Sequence, residues 1–223
     1  MIKDIKLAVL IDGDNLICVP GAKENNVVAL NRYNGETVWK CAGNEEIATY
    51  NSPILINHNG LKLVIAMTAN SIMGIDAGSG EMYWQVEQTQ RNKIHANTPI
   101  YADGKLLVSS ADPTDSSGLV QLQLSDDGKN AEVVWRNKKY RNLMGGMVRI
   151  DTCLYGSAYL KKDWQVINWN TGEQLAQNKE LGGGSIVFAD GLFYCYAERD
   201  GEVALAEAGA DKFNIISIII INC

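Results

Sequence analysis

Apolar residues come in short runs along this chain, each closed by a tight-turn signal. Leu7-Ala8-Val9-Leu10-Ile11 runs into Asp12-Gly13, and Pro53-Ile54-Leu55-Ile56 leads to Asn59-Gly60. Ile100-Tyr101-Ala102 ends at Asp103-Gly104, Met147-Val148-Arg149-Ile150 at Asp151-Thr152, and Ser185-Ile186-Val187-Phe188-Ala189 at Asp190-Gly191. Asp-Gly or Asn-Gly between apolar runs predicts a β-hairpin, because tight hairpin turns need positive φ and glycine adopts it without strain. The second turn residue falls at 13, 60, 104, 152 and 191, so the hairpins recur every 39 to 48 residues. No segment holds a helical period over three turns. Short strands at regular turn spacing predict an all-β protein.

A second pattern follows each hairpin. Ala29-Leu30-Asn31-Arg32-Tyr33-Asn34-Gly35-Glu36-Thr37-Val38-Trp39 is matched position for position by Gly74-Ile75-Asp76-Ala77-Gly78-Ser79-Gly80-Glu81-Met82-Tyr83-Trp84. Trp39 and Trp84 are 45 residues apart, the period of a four-stranded propeller blade. Each repeat therefore reads as strands A to D, with the Asp-Gly turn between A and B and the second pattern spanning C and D. Its Asp or Asn can hydrogen-bond the backbone of its own turn. Its glycine can take the left-handed position of the hairpin loop. Its tryptophan supplies a large apolar plate to fill the wedge between blades, with the indole N–H on a backbone carbonyl. Later copies degrade. In the third, Trp135 follows Gly128 by seven residues instead of four; in the fourth, Ala176 stands where the tryptophan should be; the fifth, around Val203-Ala204-Leu205, has neither the turn glycine nor the tryptophan.

The spacing A-x-D-x-x-x-G-x-x-x-W resembles the tryptophan-docking motif of the quinoprotein dehydrogenase superfamily. Over about residues 5 to 210 the chain resembles a PQQ-like β-propeller repeat protein. Ile11-Asp12-Gly13-Asp14-Asn15-Leu16-Ile17-Cys18-Val19-Pro20-Gly21 and Val28-Ala29-Leu30-Asn31 resemble members often labelled alcohol dehydrogenase-like. The group includes a periplasmic lipoprotein scaffold of outer-membrane protein assembly. The resemblance implies a single partial propeller over 1–223, with blades near 5–43, 50–90, 96–138, 144–180 and 183–223. Family members close seven or eight blades, so the expectation is a fragment of a larger ring, with self-association through its exposed blade faces. The resemblance also implies a periplasmic or envelope location for the parent, although no export signal is legible. The terminal Ile215-Ile216-Ser217-Ile218-Ile219-Ile220-Ile221 is uncharged and does not alternate; it reads as a buried strand, an aberrant end or an aggregation-prone edge.

Composition narrows the function. A net charge of -6 argues against a general nucleic-acid binder, which carries a basic footprint. The local cluster Arg136, Lys138, Lys139 and Arg141 reads as a solvated loop. No run of about 18 apolar residues predicts a transmembrane helix. The five cysteines, Cys18, Cys41, Cys153, Cys195 and Cys223, form no C-x-x-C and read as buried thiols.

Chemistry-bearing motifs are sparse. The resemblance implies that a quinoprotein enzyme would carry PQQ, a calcium ion, a catalytic carboxylate and adjacent cysteines. No adjacent cysteines occur, and no cluster of Glu, Asn and Asp matches that metal site. Asp112-Pro113-Thr114-Asp115-Ser116-Ser117-Gly118 is oxygen-rich but lacks the register of a calcium loop. His58 and His95 lack metal spacing and read as solvated loop residues. Gly182-Gly183-Gly184 lacks the strand-then-helix setting of a phosphate loop. Lys6-Leu7-Ala8-Val9-Leu10-Ile11-Asp12-Gly13-Asp14-Asn15 resembles the opening strand of NYN/PIN-like metal-dependent nucleases, a fold that needs alternating helices. The remaining candidates are Lys161, Lys162, Trp164, Arg199 and Asp200, in B–C connections of successive repeats, where a mixed charged and aromatic rim would suit a protein, peptide or glycan. The expected function is a non-catalytic binding or scaffold module without cofactor. The alternative is a PQQ- and calcium-dependent alcohol dehydrogenase-like enzyme.

Overall fold

The computed structural model describes residues 9–111, 116–159, 162–209 and 212–221. Among them are twenty strands and no helix, hence no helix long and apolar enough to cross a membrane. The strands make five four-stranded antiparallel sheets, each in chain order A-B-C-D. Blade 1 holds β1 (Val9–Asp12), β2 (Asn15–Cys18), β3 (Val27–Asn31) and β4 (Thr37–Cys41). Blade 2 holds β5 (Ile54–His58), β6 (Leu61–Met67), β7 (Ser71–Asp76) and β8 (Met82–Glu87). Blade 3 holds β9 (Ile100–Ala102), β10 (Lys105–Ser110), β11 (Gly118–Leu124) and β12 (Ala131–Asn137). Blade 4 holds β13 (Val148–Ile150), β14 (Cys153–Ser157), β15 (Trp164–Asn168) and β16 (Gln174–Asn178). Blade 5 holds β17 (Gly184–Ala189), β18 (Leu192–Ala197), β19 (Glu202–Glu207) and β20 (Asn214–Ile220). In such a meander the A–B and C–D turns share one end of the sheet. The B–C connections and the blade-to-blade linkers share the other.

The hairpin chemistry is as the sequence implies. Asn59-Gly60, Asp103-Gly104 and Asp190-Gly191 all hold positive φ at both turn residues, the type I′ geometry that matches strand twist. In blade 1 the turn slides one residue, to Gly13-Asp14, with Gly13 at positive φ.

Every blade carries one irregularity between strands C and D, always at the same place. The register shifts after Ala29↔Trp39, Gly74↔Trp84, Gln121↔Trp135, Val166↔Ala176 and Leu205↔Ser217. A bulge adds local twist and re-aims the side chain beside it. The residue before the shift is thus the docking position, and it reads Trp, Trp, Trp, Ala, Ser around the five blades. Trp39 donates its indole N–H to the Ala77 carbonyl of blade 2 at 3.0 Å. Trp84 donates to Gly128 of blade 3 at 3.1 Å, and Trp135 to Trp169 of blade 4 at 3.1 Å. In blade 3 the acceptor is the turn glycine, three residues after Ser125; in blades 2 and 4 it follows the Asp or Asn that opens the next C–D turn. That turn is built by its Asx side chain: Asp76 Oδ1 accepts from the Gly78 and Ser79 amides at 3.0 and 2.7 Å, and Asn168 Oδ1 from Asn170 and Thr171 at 2.8 and 3.1 Å. Gly80, at φ +79, lies beneath the Trp39 ring, where a Cβ would sit 2.6 Å from Cε3. Gly172, at φ +73, lies in the same way beneath Trp135.

The joint between blades 4 and 5 is filled differently. Ala176 leaves the docking position small. Trp164, two residues along strand C on the same face of the sheet, is fully buried there (0% exposed). Its ring stacks on Phe213 at 5.3 Å and its N–H donates to the Gly182 carbonyl at 2.8 Å. Phe193 stacks on Phe213 in turn, and Tyr155, Val166, Leu181, Cys195 and Ala204 complete this core. The expectation of Trp164 at an open rim is therefore corrected. It faces blade 5 because strand C alternates and Val166, two residues on, faces the same core.

Three further expectations change. The histidines are buried, because the neighbouring blade covers the turns beside them. His58 bridges to the Tyr101 hydroxyl and the Ser125 carbonyl of blade 3, each at 2.8 Å. His95 lies in the linker before β9, with Nε2 3.3 Å from the Ala69 carbonyl. Arg136 is not in a solvated loop. It sits on β12 and its guanidinium donates to the Gln88 side chain and to the carbonyls of Ser116, Ser117 and Glu87, clamping blade 3 to the preceding linker. The nuclease reading falls with the fold: Ile11 to Asn15 is the first A–B hairpin, and no helix follows it among the described residues. Cys18, Cys41, Cys153 and Cys195 are buried free thiols; burial pushes Cys195 up to about 12. Cys223 lies outside the described residues. The isoleucine-rich end is neither buried nor aberrant. It forms β20, the exposed outer strand of blade 5.

Candidate functional site

A cleft of about 240 Å³ opens between blades 4 and 5 on the B–C side. Its walls come from three connections and from Met144 in the linker between blades 3 and 4. Ser157, at the end of β14, leads into Ala158, Tyr159 and Lys162 of the B–C connection of blade 4. Glu198, Arg199 and Asp200 form the B–C turn of blade 5. Gly182, Gly183 and Gly184 are the linker that enters β17. Of the residues expected at a rim, the structure places Lys162, Arg199 and Asp200 around this cleft. Lys161 lies outside the described residues. Trp164 lies beneath the cleft instead of in it, and its N–H bond to Gly182 holds up the floor.

The glycine run has a packing reason. A Cβ on Gly182 would sit 2.6 Å from Asp200 Oδ2 and 3.1 Å from Ala197 Cβ. Gly184 packs against the Tyr196 carbonyl, leaving no room for a side chain. The linker thus lies flat on β18, and the Ser157 hydroxyl ties it down, donating to the Gly184 carbonyl and accepting from its amide, each at 2.9 Å. Ser157 is itself fixed, because its carbonyl accepts from Asn142 Nδ2 at 2.8 Å. The floor is rigid and the rim is charged. Lys162 Nζ is 3.9 Å from Asp200 Oδ2, a half-exposed pair worth little energetically and therefore available to another partner. Glu198 accepts from Ser185 at 3.5 Å, a long contact.

Ser157, Tyr159, Glu198 and Met144 line the same cleft but were not singled out from sequence. Register could have found Glu198, which sits beside Arg199 in the same turn. Ser157 carries no distinguishing local signal. A second, more open groove near Glu46, Asn70, Ser71 and Gln85 is a structural clamp. The Glu46 carboxylate already accepts from Thr68 Oγ1, the Asn70 amide and Ser71 Oγ at 2.7 to 2.8 Å.

Neither place is equipped for catalysis through a metal-bound quinone. No three His, Cys, Asp or Glu side chains converge among the described residues. No pair of aromatic walls lines the cleft for a flat ring system. At these two places the residues do not fit that group. Part of the calcium-like string, 112–115, lies outside the described residues.

The sequence profile of the outer membrane protein assembly factor BamB family matches residues 3–210. The chain belongs to that family. No curated protein matches it at the sequence level. BamB from Moraxella catarrhalis is similar in structure, with a TM-score of 0.67 at 19% identity over 96% of this chain and 63% of that one. The chain thus spans less than two thirds of the length of that BamB. The quinohemoprotein alcohol dehydrogenase from Comamonas testosteroni is similar at a TM-score of 0.63 and 11% identity, over 97% of this chain and 43% of that one. Sqt1 from Saccharomyces cerevisiae is similar at a TM-score of 0.66 and 11% identity, over 94% of this chain and 60% of that one. At these identities the structural likenesses establish the propeller fold alone. The BamB family rests on the sequence match.

Proposed function

We propose that the chain is a non-catalytic BamB-type propeller module that holds a protein partner on its B–C face during outer-membrane protein assembly in the cell envelope. The observation that supports it most is the cleft between blades 4 and 5. Its floor is fixed by Ser157 and Trp164, and its rim carries Lys162, Glu198, Arg199 and Asp200. A rigid floor with a mixed-charge rim suits a polypeptide, which offers both signs and backbone groups. The dehydrogenase alternative is supported by fold likeness, and the lining of this cleft does not favour it.

The test is a photo-crosslinking residue placed at Tyr159, with the protein expressed in its own cell envelope. The expected adduct is with a component of the outer-membrane assembly apparatus, and it is lost when Lys162→Glu and Arg199→Glu are combined. An unchanged adduct in that variant would contradict the cleft as the site. Calcium-dependent PQQ binding by the folded chain in a calorimetric titration would overturn the non-catalytic reading.

A further inference from the structure

The cleft between blades 4 and 5 holds more hydrogen-bond donors than the protein itself uses. Gly182 is buried and Gly183 half-buried, and both line the cleft. Among the described residues neither amide has an acceptor, although the Gly182 carbonyl and both backbone groups of Gly184 are bonded. A backbone N–H left unpaired away from water is rare, because it costs about as much as a lost hydrogen bond. The direction of one of them follows from its own peptide. The Gly182 carbonyl and the Gly183 N–H share a trans peptide plane and point to opposite sides. Trp164 holds that carbonyl from below at 2.8 Å, so the Gly183 N–H points up into the cleft.

The side chains add to the surplus. The Arg199 guanidinium and the Tyr159 hydroxyl line the same cleft, and among the described residues neither has a hydrogen-bond or ion-pair partner. Lys162 has only Asp200, at 3.9 Å. The carboxylates nearby do not absorb these donors. Asp200 Oδ2 lies against Gly182, where a Cβ would sit 2.6 Å from it, yet it accepts from neither glycine amide. Glu198 reaches only the Ser185 hydroxyl, at 3.5 Å.

We propose that the cleft is a carboxylate-binding site, in which the Gly182 and Gly183 amides and Arg199, with Lys162 at the rim, take a carboxylate of the partner polypeptide. This rests on the reading of the cleft as a site for a protein, whose carboxylates are its C-terminus and its Asp and Glu side chains. Successive backbone N–H groups make an anion-binding concavity, and a guanidinium fork matches a carboxylate with two parallel bonds. Ser157 and Trp164 already fix the linker, so the donors are in place before the ligand arrives. Asp200 is the resident competitor: it partly neutralises Lys162 and opposes a second negative charge above Gly182.

The probes are N-acetyl-trialanine with a free C-terminus, the same peptide as its C-terminal amide, and a blocked alanine–glutamate–alanine amide. Each is titrated at constant ionic strength into the isotopically labelled chain. The two probes that carry a carboxylate should move the Gly182 and Gly183 amide protons downfield, and the uncharged amide should not. The tighter of the two names the source, chain terminus or acidic side chain. Arg199→Gln should weaken binding by about tenfold, with the amide spectrum outside the cleft unchanged. Asp200→Asn should tighten it. The assignment fails if no probe moves these signals, if the uncharged amide moves them equally, or if Arg199→Gln leaves the affinity as it was. Any of these with the Tyr159 adduct retained removes the carboxylate site and leaves the protein partner. A lost adduct with the carboxylate shifts intact contradicts the protein partner and leaves the carboxylate site.

Discussion

Blades 1 to 3 and blades 4 to 5 solve one packing problem in two ways. In the first region a tryptophan leaves strand D beside a bulge and lands on the next blade's C–D turn, at the A–B end of the joint. In the second, Ala176 holds that position, and the indole comes from strand C at the B–C end. A wedge between sheets must be filled to interior density, but the filling atom can come from any strand that faces it. Moving the indole along the joint has a consequence at the surface. Trp164 ends up directly below the Gly182–Gly184 linker, so the cleft rimmed by Lys162, Arg199 and Asp200 sits over the one joint that departs from the repeat.

The comparison can be broken at several points. Trp164→Ala should have the largest effect, about 4–5 kcal/mol in chemical denaturation, because it empties a fully enclosed site and removes the support of the linker. Trp84→Ala should cost about 3–4 kcal/mol, since that ring retains a little solvent contact. A loss below about 1 kcal/mol at either position would contradict the docking role there. Glycine substitutions sharpen the same contrast. Gly80→Ala should cost about 2–3 kcal/mol, combining left-handed strain with displacement of Trp39, whereas Gly35→Ala should cost only about 1, from strain alone. Equal losses would mean that the ring over Gly80 adds nothing.

The smallest effect is one of pH. Burial pushes His95 below its ordinary value of 6.5, against opposing hydrogen bonds to the Ala69 and Gln88 backbones and the charge of Glu46. The unfolded chain therefore takes up a proton near pH 6.5 that the folded chain refuses. Stability is unaffected above that pH and falls as pH drops below it, by at most about 1.4 kcal/mol per unit. His95→Gln should flatten this acid limb. Both histidines of the chain lie at blades 2 and 3, so hydrogen exchange in blade 5 should not share the dependence. A matching acid response in blade 5 would mean that the two regions do not open separately.

The fold was legible because its signals are local. Asp-Gly turns and the Asx-to-glycine hairpin depend on residues a few positions apart, and a tryptophan at a fixed offset marks the next blade. The site was legible in part. Lys162, Arg199 and Asp200 fall in corresponding connections, so repeat register alone brings them together. Trp164 was misplaced because its role depends on what is absent twelve positions after the start of β15, in the partner strand opposite Val166. His58 and Arg136 were misread for a related reason. Each stands beside a turn or a charge run that looks solvated in its own repeat, and each is covered by a neighbouring segment that no local pattern reveals.

The most direct test of this account is a double-mutant cycle between Trp164→Ala and Ala176→Trp. If Trp164 replaces the missing docking residue, Ala176→Trp alone overfills the joint and destabilises the chain by about 1–3 kcal/mol. In the Trp164→Ala background the same substitution should stabilise it, recovering part of the loss. Additive effects, with Ala176→Trp costing the same in both backgrounds, would contradict the claim that one indole stands in for the other.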